Sequence, residues 1–344
     1  MRLDWERFTV RTEHPFTISR STREELERIR VRVEHDGEAG LGEAAPTAYY
    51  GENAGSAERA LEAMRPALEE AADPEGLEAL ESEAALRAPE ASSARAAVSA
   101  ALHDLWGRRL GRPLWRLWGL DPDAAPASSF TLGLDEPGVV AEKARAAAGW
   151  PVLKVKLGLA DPGRERALLE AVRAEAPDAA LRVDANAGWP DAATARERIA
   201  ALAEFGVELV EQPLAPEDGE GLARLKEASP LPVVLDESCL TSEDVPALAD
   251  RAHGVNLKMA KTGGPREALR AIHAARACGL RVMIGCMVGT TLGVAPGMHL
   301  APLADWVDLD GAALLAEDPF RGPRLEEGRI VLPDAPGLGV EPAG

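Results

Sequence analysis

Beyond residue 128 the chain is dominated by eight short apolar runs, each closing on a polar or small residue and each followed by an Ala/Arg/Glu-rich stretch. The runs span residues 129–133, 152–156, 181–184, 207–211, 233–236, 255–258, 282–285 and 306–310. Counted between polar residues at or next to the ends of successive runs, Lys156 is followed by Asp184 after 28 residues, Glu211 after 27, Asp236 after 25, Lys258 after 22, Cys286 after 28 and Asp308 after 22. Each interval is the length of one strand, its helix and their connections, and eight such units close a parallel barrel. An open doubly wound sheet would use similar units, but no Gly-x-Gly-x-x-Gly follows an early strand. The expected fold is therefore α/β, a (β/α)8-type barrel.

The first 125 residues read differently, as an α+β capping domain. Residues 3–11 and 28–35 alternate like half-buried strands, Asp36-Gly37 offers a turn, and Ala-rich helical segments follow at about 56–71 and 93–110. Gly111-Arg-Pro113 interrupts the second of these. The expected division is a cap over 1–125, a barrel over 126–315 and a segment over 316–344 that returns to the cap, with residues 328–333 as the returning strand.

Charge narrows the partners. With 38 Lys+Arg against 57 Asp+Glu, the formal charge of −19 repels a polyanion, so nucleic acid is not an expected partner. No run reaches the roughly 18–20 apolar residues of a membrane span, and the N-terminus lacks a signal peptide's apolar stretch. A cytoplasmic protein with no membrane contact, assembled from identical copies, is expected. Three cysteines without a CxxC spacing give no disulfide framework or thiolate metal site.

In a parallel barrel the C-terminal ends of the strands share one rim, so residues 22–28 apart in sequence become neighbours. Asp184, Glu211 and Asp236 end three successive runs. Three carboxylates aimed at one point repel one another unless a cation joins them, and an oxygen-only set suits Mg2+. Asn186 and Glu237 stand beside them as supporting groups. Lys154 and Lys156, two apart on one strand, point to the same face. Burial and a neighbouring cation are expected to lower a lysine pKa there toward the range of a working base. Lys258 ends the sixth run, four strands round from the second and so diametrically opposite Lys156. An amine on either side of one carbon can remove a proton from one face and return it to the other, while a bound cation offsets charge on an enediolate. Lys261, three residues on, reads as surface. Cys239, Cys286, His253, His273 and His299 read as packing or structural residues.

Taken together, Lys154-Val-Lys156, Val183-Asp-Ala-Asn186, Val210-Glu-Gln-Pro213, Leu235-Asp-Glu-Ser238, Asn256-Leu-Lys258 and Gly285-Cys-Met287 resemble the enolase superfamily, specifically its muconate-lactonizing-enzyme subgroup. Gly40-Leu-Gly-Glu-Ala-Ala-Pro46 and Asp104-Leu-Trp-Gly107 resemble the same family's cap, so the likeness covers nearly the whole chain. It implies catalytic Lys156 and Lys258, an auxiliary Lys154, Mg2+ on Asp184, Glu211 and Asp236, and a cap that closes the barrel mouth. Asp308-Leu-Asp310 resembles the Asp-x-Asp element with which dipeptide epimerases bind a substrate's α-ammonium group. Arg20 lies where the family places a substrate-reading loop and would bind a second carboxylate, as in an Ala-Glu dipeptide. The resemblance thus implies an isomerase of the L-Ala-D/L-Glu epimerase type acting on a small-molecule dipeptide. Gly289 departs from the acidic residue many subgroup members carry near that place, which leaves side-chain preference open. Other subgroup activities remain alternatives: o-succinylbenzoate synthesis, N-acylamino acid racemisation or muconate cycloisomerisation. So does a catalytically inactive relative that only binds ligands.

Overall fold

The computed structural model describes residues 1–71 and 73–344. The N-terminal sheet is an antiparallel meander of β1 (Arg2–Ile18), β2 (Ser21–His35) and β3 (Glu38–Ala44). The hairpin is longer than the alternation in sequence implies, because its outer half, whose register shifts between Arg11 and Phe16, leaves the cap core and reaches the barrel. Two helices, α1 (Ala54–Glu69) and α3 (Ser92–Leu110), cover one face of the sheet, and α2 (Leu77–Arg87) packs on both of them. Asn53 and Ser56 form a reciprocal capping box that starts α1.

The alanines of α3 are explained by how closely it lies on β3. A Cβ added to Gly40 would stand 2.0 Å from the Ala101 carbonyl oxygen, and one on Gly42 2.0 Å from that of Ala97. Helix and strand therefore touch backbone to backbone, and only glycine facing alanine fits. We expect Gly42→Ala to destabilise the protein by roughly 1–3 kcal/mol or more through overpacking. Urea unfolding of the variant checks this, and an unchanged midpoint would refute the contact.

The second unit is the expected barrel. Its eight parallel strands are β4 (Phe130–Leu132), β5 (Val152–Lys156), β6 (Ala180–Asp184), β7 (Val207–Glu211), β8 (Val233–Leu235), β9 (Gly254–Lys258), β10 (Arg281–Gly285) and β11 (Trp306–Asp308), each paired with the next. Just before β4, Ser128 bridges to Val307 of β11 in parallel, and the Ser129 amide donates to the Val307 carbonyl at 3.1 Å, which closes the ring. Leu209, Val234, Met283 and Trp306 form one buried cluster, while a larger one packs the strands against the surrounding helices. Among the described residues, no helix is long and apolar enough to cross a membrane.

The C-terminal segment corrects one expectation. Arg329–Val331 pairs only with Arg324–Glu326, and Gly328 accepts a bond from Ser128 at the start of β4, so this hairpin sits under the barrel and not on the cap. Its Ile330 packs into the barrel core, the reason it stops there. The cap is met on either side of it: the Phe320 ring packs edge-on against Phe8 of β1 at 6.3 Å, the Leu338 amide donates to Asp104 of α3 at 2.7 Å, and Arg108 donates to the Val340 carbonyl at 2.9 Å. Leu338 and Val340 bury against Ala100, Leu114, Leu292 and Ala295. His299 ties this region together, accepting from the Trp115 amide and bonding the Leu338 carbonyl, and burial pushes its imidazole down to about 4.

Candidate active site

Strand register decides which side chains meet. Lys156 is abreast of Asp184, and Asp184 of Glu211, while Gly285 lies between Lys258 and Asp308. Asp236 follows β8 directly. All these positions fall on the C-terminal rim, beneath the tip of the β1–β2 hairpin, around a cavity of about 390 Å3 that Lys156, Asp236, Lys258, Asp308 and Arg20 line. That volume lies within the ~300–1,000 Å3 usual for small-molecule sites.

The rim is an alternation of buried acids and amines. Lys154 Nζ stands 2.6 Å from Asp308, 2.7 Å from Glu211 and 3.3 Å from Asp184. Lys156 bonds Asp184 at 2.6 Å, and Lys258 bonds Asp236 at 2.5 Å. Lys156 on β5 and Lys258 on β9 are four strands apart, hence opposite across the cavity. Asp308 also accepts from the Ser129 hydroxyl at 2.6 Å, and Asp310 accepts from the Thr131 amide at 2.6 Å.

Burial alone would depress both lysines, yet Asp308, Glu211 and Asp184 outweigh it at Lys154, as Asp236 and Glu211 do at Lys258, and both ammonium groups are held above their ordinary range. Burial likewise opposes ionisation of Asp184, but Lys156 and Lys154 hold it below the usual carboxylate range. Glu211 moves the other way: burial and the charges of Asp184 and Asp236 push it up to about 7. Burial and Asp308 push Asp310 to the same value.

Lys261 is not a surface residue. It is 2% exposed, and its ammonium bonds both the Asp236 carboxylate, at 2.6 Å, and the Asp236 carbonyl. The single helical turn Met259–Thr262 after β9 folds it back into the rim, which spacing from β9 does not announce. Gln212 and Asn256 are further structural members that the motif reading left without roles. Gln212, at a left-handed φ of 34°, accepts from the Asp236 amide at 2.9 Å and donates to the Leu214 carbonyl at 2.8 Å, joining the loops after β7 and β8. Asn256 donates to Glu211 at 2.9 Å. It lies two residues before Lys258 on the same face, so the period-two argument that linked Lys154 to Lys156 finds it too.

Arg20 reaches the cavity from the hairpin tip, but its guanidinium already has partners. It donates to Glu237 at 2.7 Å and to the Asn186 carbonyl at 3.0 Å, and lies 4.1 Å above the Tyr49 ring. Asn186 in turn donates to Asp184 and Glu237 at 3.2 and 3.3 Å.

Asp184, Glu211 and Asp236 share one wall with ammonium groups bonded among them, and among the described residues no three acidic, histidine or cysteine side chains form a ready-made metal cluster. The donor chemistry nevertheless fits a hard cation. The set is all oxygen, and among the described residues buried Asn186 Oδ1 and Glu237 Oε2 beside it lack any hydrogen-bond partner.

A model of the mandelate racemase/muconate lactonizing enzyme N-terminal domain matches residues 4–119, and one of the enolase C-terminal domain-like family matches residues 139–343. The chain belongs to the enolase superfamily. Within the superfamily it is similar to the L-Ala-D/L-Glu epimerase of Bacteroides thetaiotaomicron, at 37% identity over 341 residues, covering 99% of this chain and 88% of that protein. Its structure is similar to a substrate-liganded complex of the L-Ala-D/L-Glu epimerase from Bacillus subtilis, with a TM-score of 0.94 and 30% identity over 100% and 99% of the two chains. It is equally similar to a dipeptide epimerase from Enterococcus faecalis complexed with Mg and L-Leu-L-Tyr, with a TM-score of 0.93 and 31% identity over 98% of each chain.

Proposed function

We propose that this chain is a Mg2+-dependent dipeptide epimerase that inverts the α-carbon bearing the substrate's carboxylate, with L-Ala-D/L-Glu-type dipeptides as substrates. The observation that carries this reading is the placement of Lys156 and Lys258 on opposite strands of one closed barrel, lining one cavity with the Asp308/Asp310 pair. Asp184, Glu211 and Asp236 would hold Mg2+, whose charge offsets the second negative charge that a carboxylate gains as its α-proton leaves.

The chain's own groups do the rest. One of the two facing lysines, as the neutral amine, takes the α-proton and becomes an ammonium, while the other, already an ammonium, gives a proton to the opposite face. Their roles exchange with the configuration of the substrate. Lys154, held charged by three carboxylates, adds fixed positive potential beside the reacting carboxylate and does not itself move a proton. Asp308 and Asp310, two apart at the end of β11, receive the α-ammonium group, and the hairpin tip bearing Arg20 excludes water and meets the second side chain. The pairing of Arg20 with Glu237 means that a substrate carboxylate has to share that guanidinium.

Incubation with Mg2+ and L-Ala-L-Glu, followed by a wider dipeptide set, in D2O should place deuterium at the α-carbon of the C-terminal residue. Absence of exchange with every dipeptide would defeat the reading. Asp308→Asn/Asp310→Asn should raise KM for dipeptides by about 10²-fold or more, since a buried charge pair is worth roughly 2–5 kcal/mol and 1.4 is tenfold. Steady-state kinetics decide this, and an unchanged KM would favour substrates without a free ammonium group, such as N-acylamino acids.

A further inference from the structure

Among the described residues Lys156 has no side-chain partner other than Asp184, yet it stands at the end of a short strand followed at once by a loop. A buried carboxylate outside the rim fixes that loop. Glu165, in the first turn of the helix Pro162–Glu175, is 4% exposed and turns back toward the strand. Its Oε1 accepts from the amides of Gly158 and Leu159, both at 2.8 Å, and from the Trp189 indole at 3.0 Å, while Oε2 accepts from Arg198 at 2.9 Å. The two amides belong to the loop after Lys156, and the indole to the loop after Asp184. The loops also touch directly. A Cβ on Gly158, where φ is +86°, would lie 2.1 Å from the Ala185 carbonyl oxygen, and one on Gly188 would lie 2.4 Å from that of Gly158. The Leu157 amide donates to the Asp184 carbonyl at 2.8 Å.

We infer that Glu165 is a positioning residue for Lys156: it locks the loop behind this one base to the loop behind Asp184 and so sets where the Lys156 amine stands relative to the substrate α-carbon. None of its partners lies on or after β9, so Lys258 is outside its reach. The consequence is directional. Loss of Glu165 slows proton removal from the substrate configuration that Lys156 serves and spares the one that Lys258 serves. This inference rests on the proposal that the two lysines are the two bases.

The test follows α-proton wash-in from L-Ala-L-Glu and L-Ala-D-Glu separately, in D2O with Mg2+, for wild type, Glu165→Ala, Glu165→Gln, and Lys156→Ala as the reference for a lost base. We expect Glu165→Ala to skew the ratio of the two exchange rates by about tenfold or more in the direction of Lys156→Ala, because a misplacement of ~1 Å costs roughly 10²-fold. Glu165→Gln, which keeps an acceptor for the two amides, should restore most of the ratio. Equal losses in both directions, or an unchanged ratio, would overturn the assignment. Should Glu165→Ala fail to fold, Trp189→Phe removes one donor from the same carboxylate, and the same comparison applies: a skew toward Lys156→Ala supports the inference and an even loss overturns it. If the wild type exchanges no dipeptide at all, the functional proposal fails on its own. Amide hydrogen exchange at Gly158 and Leu159 then decides the positioning claim, with faster exchange in the variant supporting it and unaltered exchange refuting it.

Discussion

A Lys258→Ala enzyme should be nearly inactive as an epimerase yet still label one substrate configuration with deuterium. The strand order places Lys258 across the cavity from Lys156, so removing one amine leaves the other free to exchange a proton on its own face. Epimerisation should fall by about 10²–10⁴-fold, the usual worth of a positioned acid or base. Lys156→Ala should give the mirror result with the opposite configuration. Proton NMR in D2O, started separately from each diastereomer, reads both quantities. If either variant stops exchange from both configurations equally, the two amines do not act on opposite faces.

Asp236→Ala is expected to damage stability as much as chemistry. Asp236 is the shared partner of Lys258 and Lys261, which are 8% and 2% exposed, and among the described residues Lys261 has no other hydrogen-bonding residue. Breaking a buried pair strands the surviving charge at a cost of roughly 3–5 kcal/mol, and here two ammonium groups are stranded by one substitution. Urea unfolding without added metal should show a loss of that size. The double variant Asp236→Ala/Lys261→Met should recover a large part of it, because it removes one of the two unpaired charges. A single variant as stable as the wild type would mean that the observed bonds contribute nothing.

Both expectations use contacts that the sequence announces only in part. The βα spacing makes the barrel and the shared rim legible, because a strand-end position in a closed parallel ring has only one place to be. Lys154 and Lys156 are legible together by strand alternation, and Asp184, Glu211 and Asp236 by their recurrence at successive run-ends. Lys261 is not, since one helical turn after β9 decides whether a side chain three residues on meets solvent or the rim. Protonation preferences are hidden for a related reason. Sequence counts the charges, whereas the direction of the shift at Lys258 follows from a 2.5 Å contact with Asp236. Glu165 carries no signal either: an acidic residue in the first turn of a helix suits the helix dipole, and only the fold shows its carboxylate turned inward. The C-terminal hairpin misleads because an apolar Ile330 serves the underside of a barrel as well as it would a cap.

The closure of the ring carries a constraint of its own. Where β4 meets β11 the ladder is thin, and the Thr131 amide is satisfied by the Asp310 carboxylate while the Ser129 hydroxyl is satisfied by Asp308. The side chains assigned to gripping the ligand's amino terminus are therefore also the stitches of the cylinder's seam. A lineage drifting toward substrates that lack that amino group would have to re-fasten the seam before it could discard either acid.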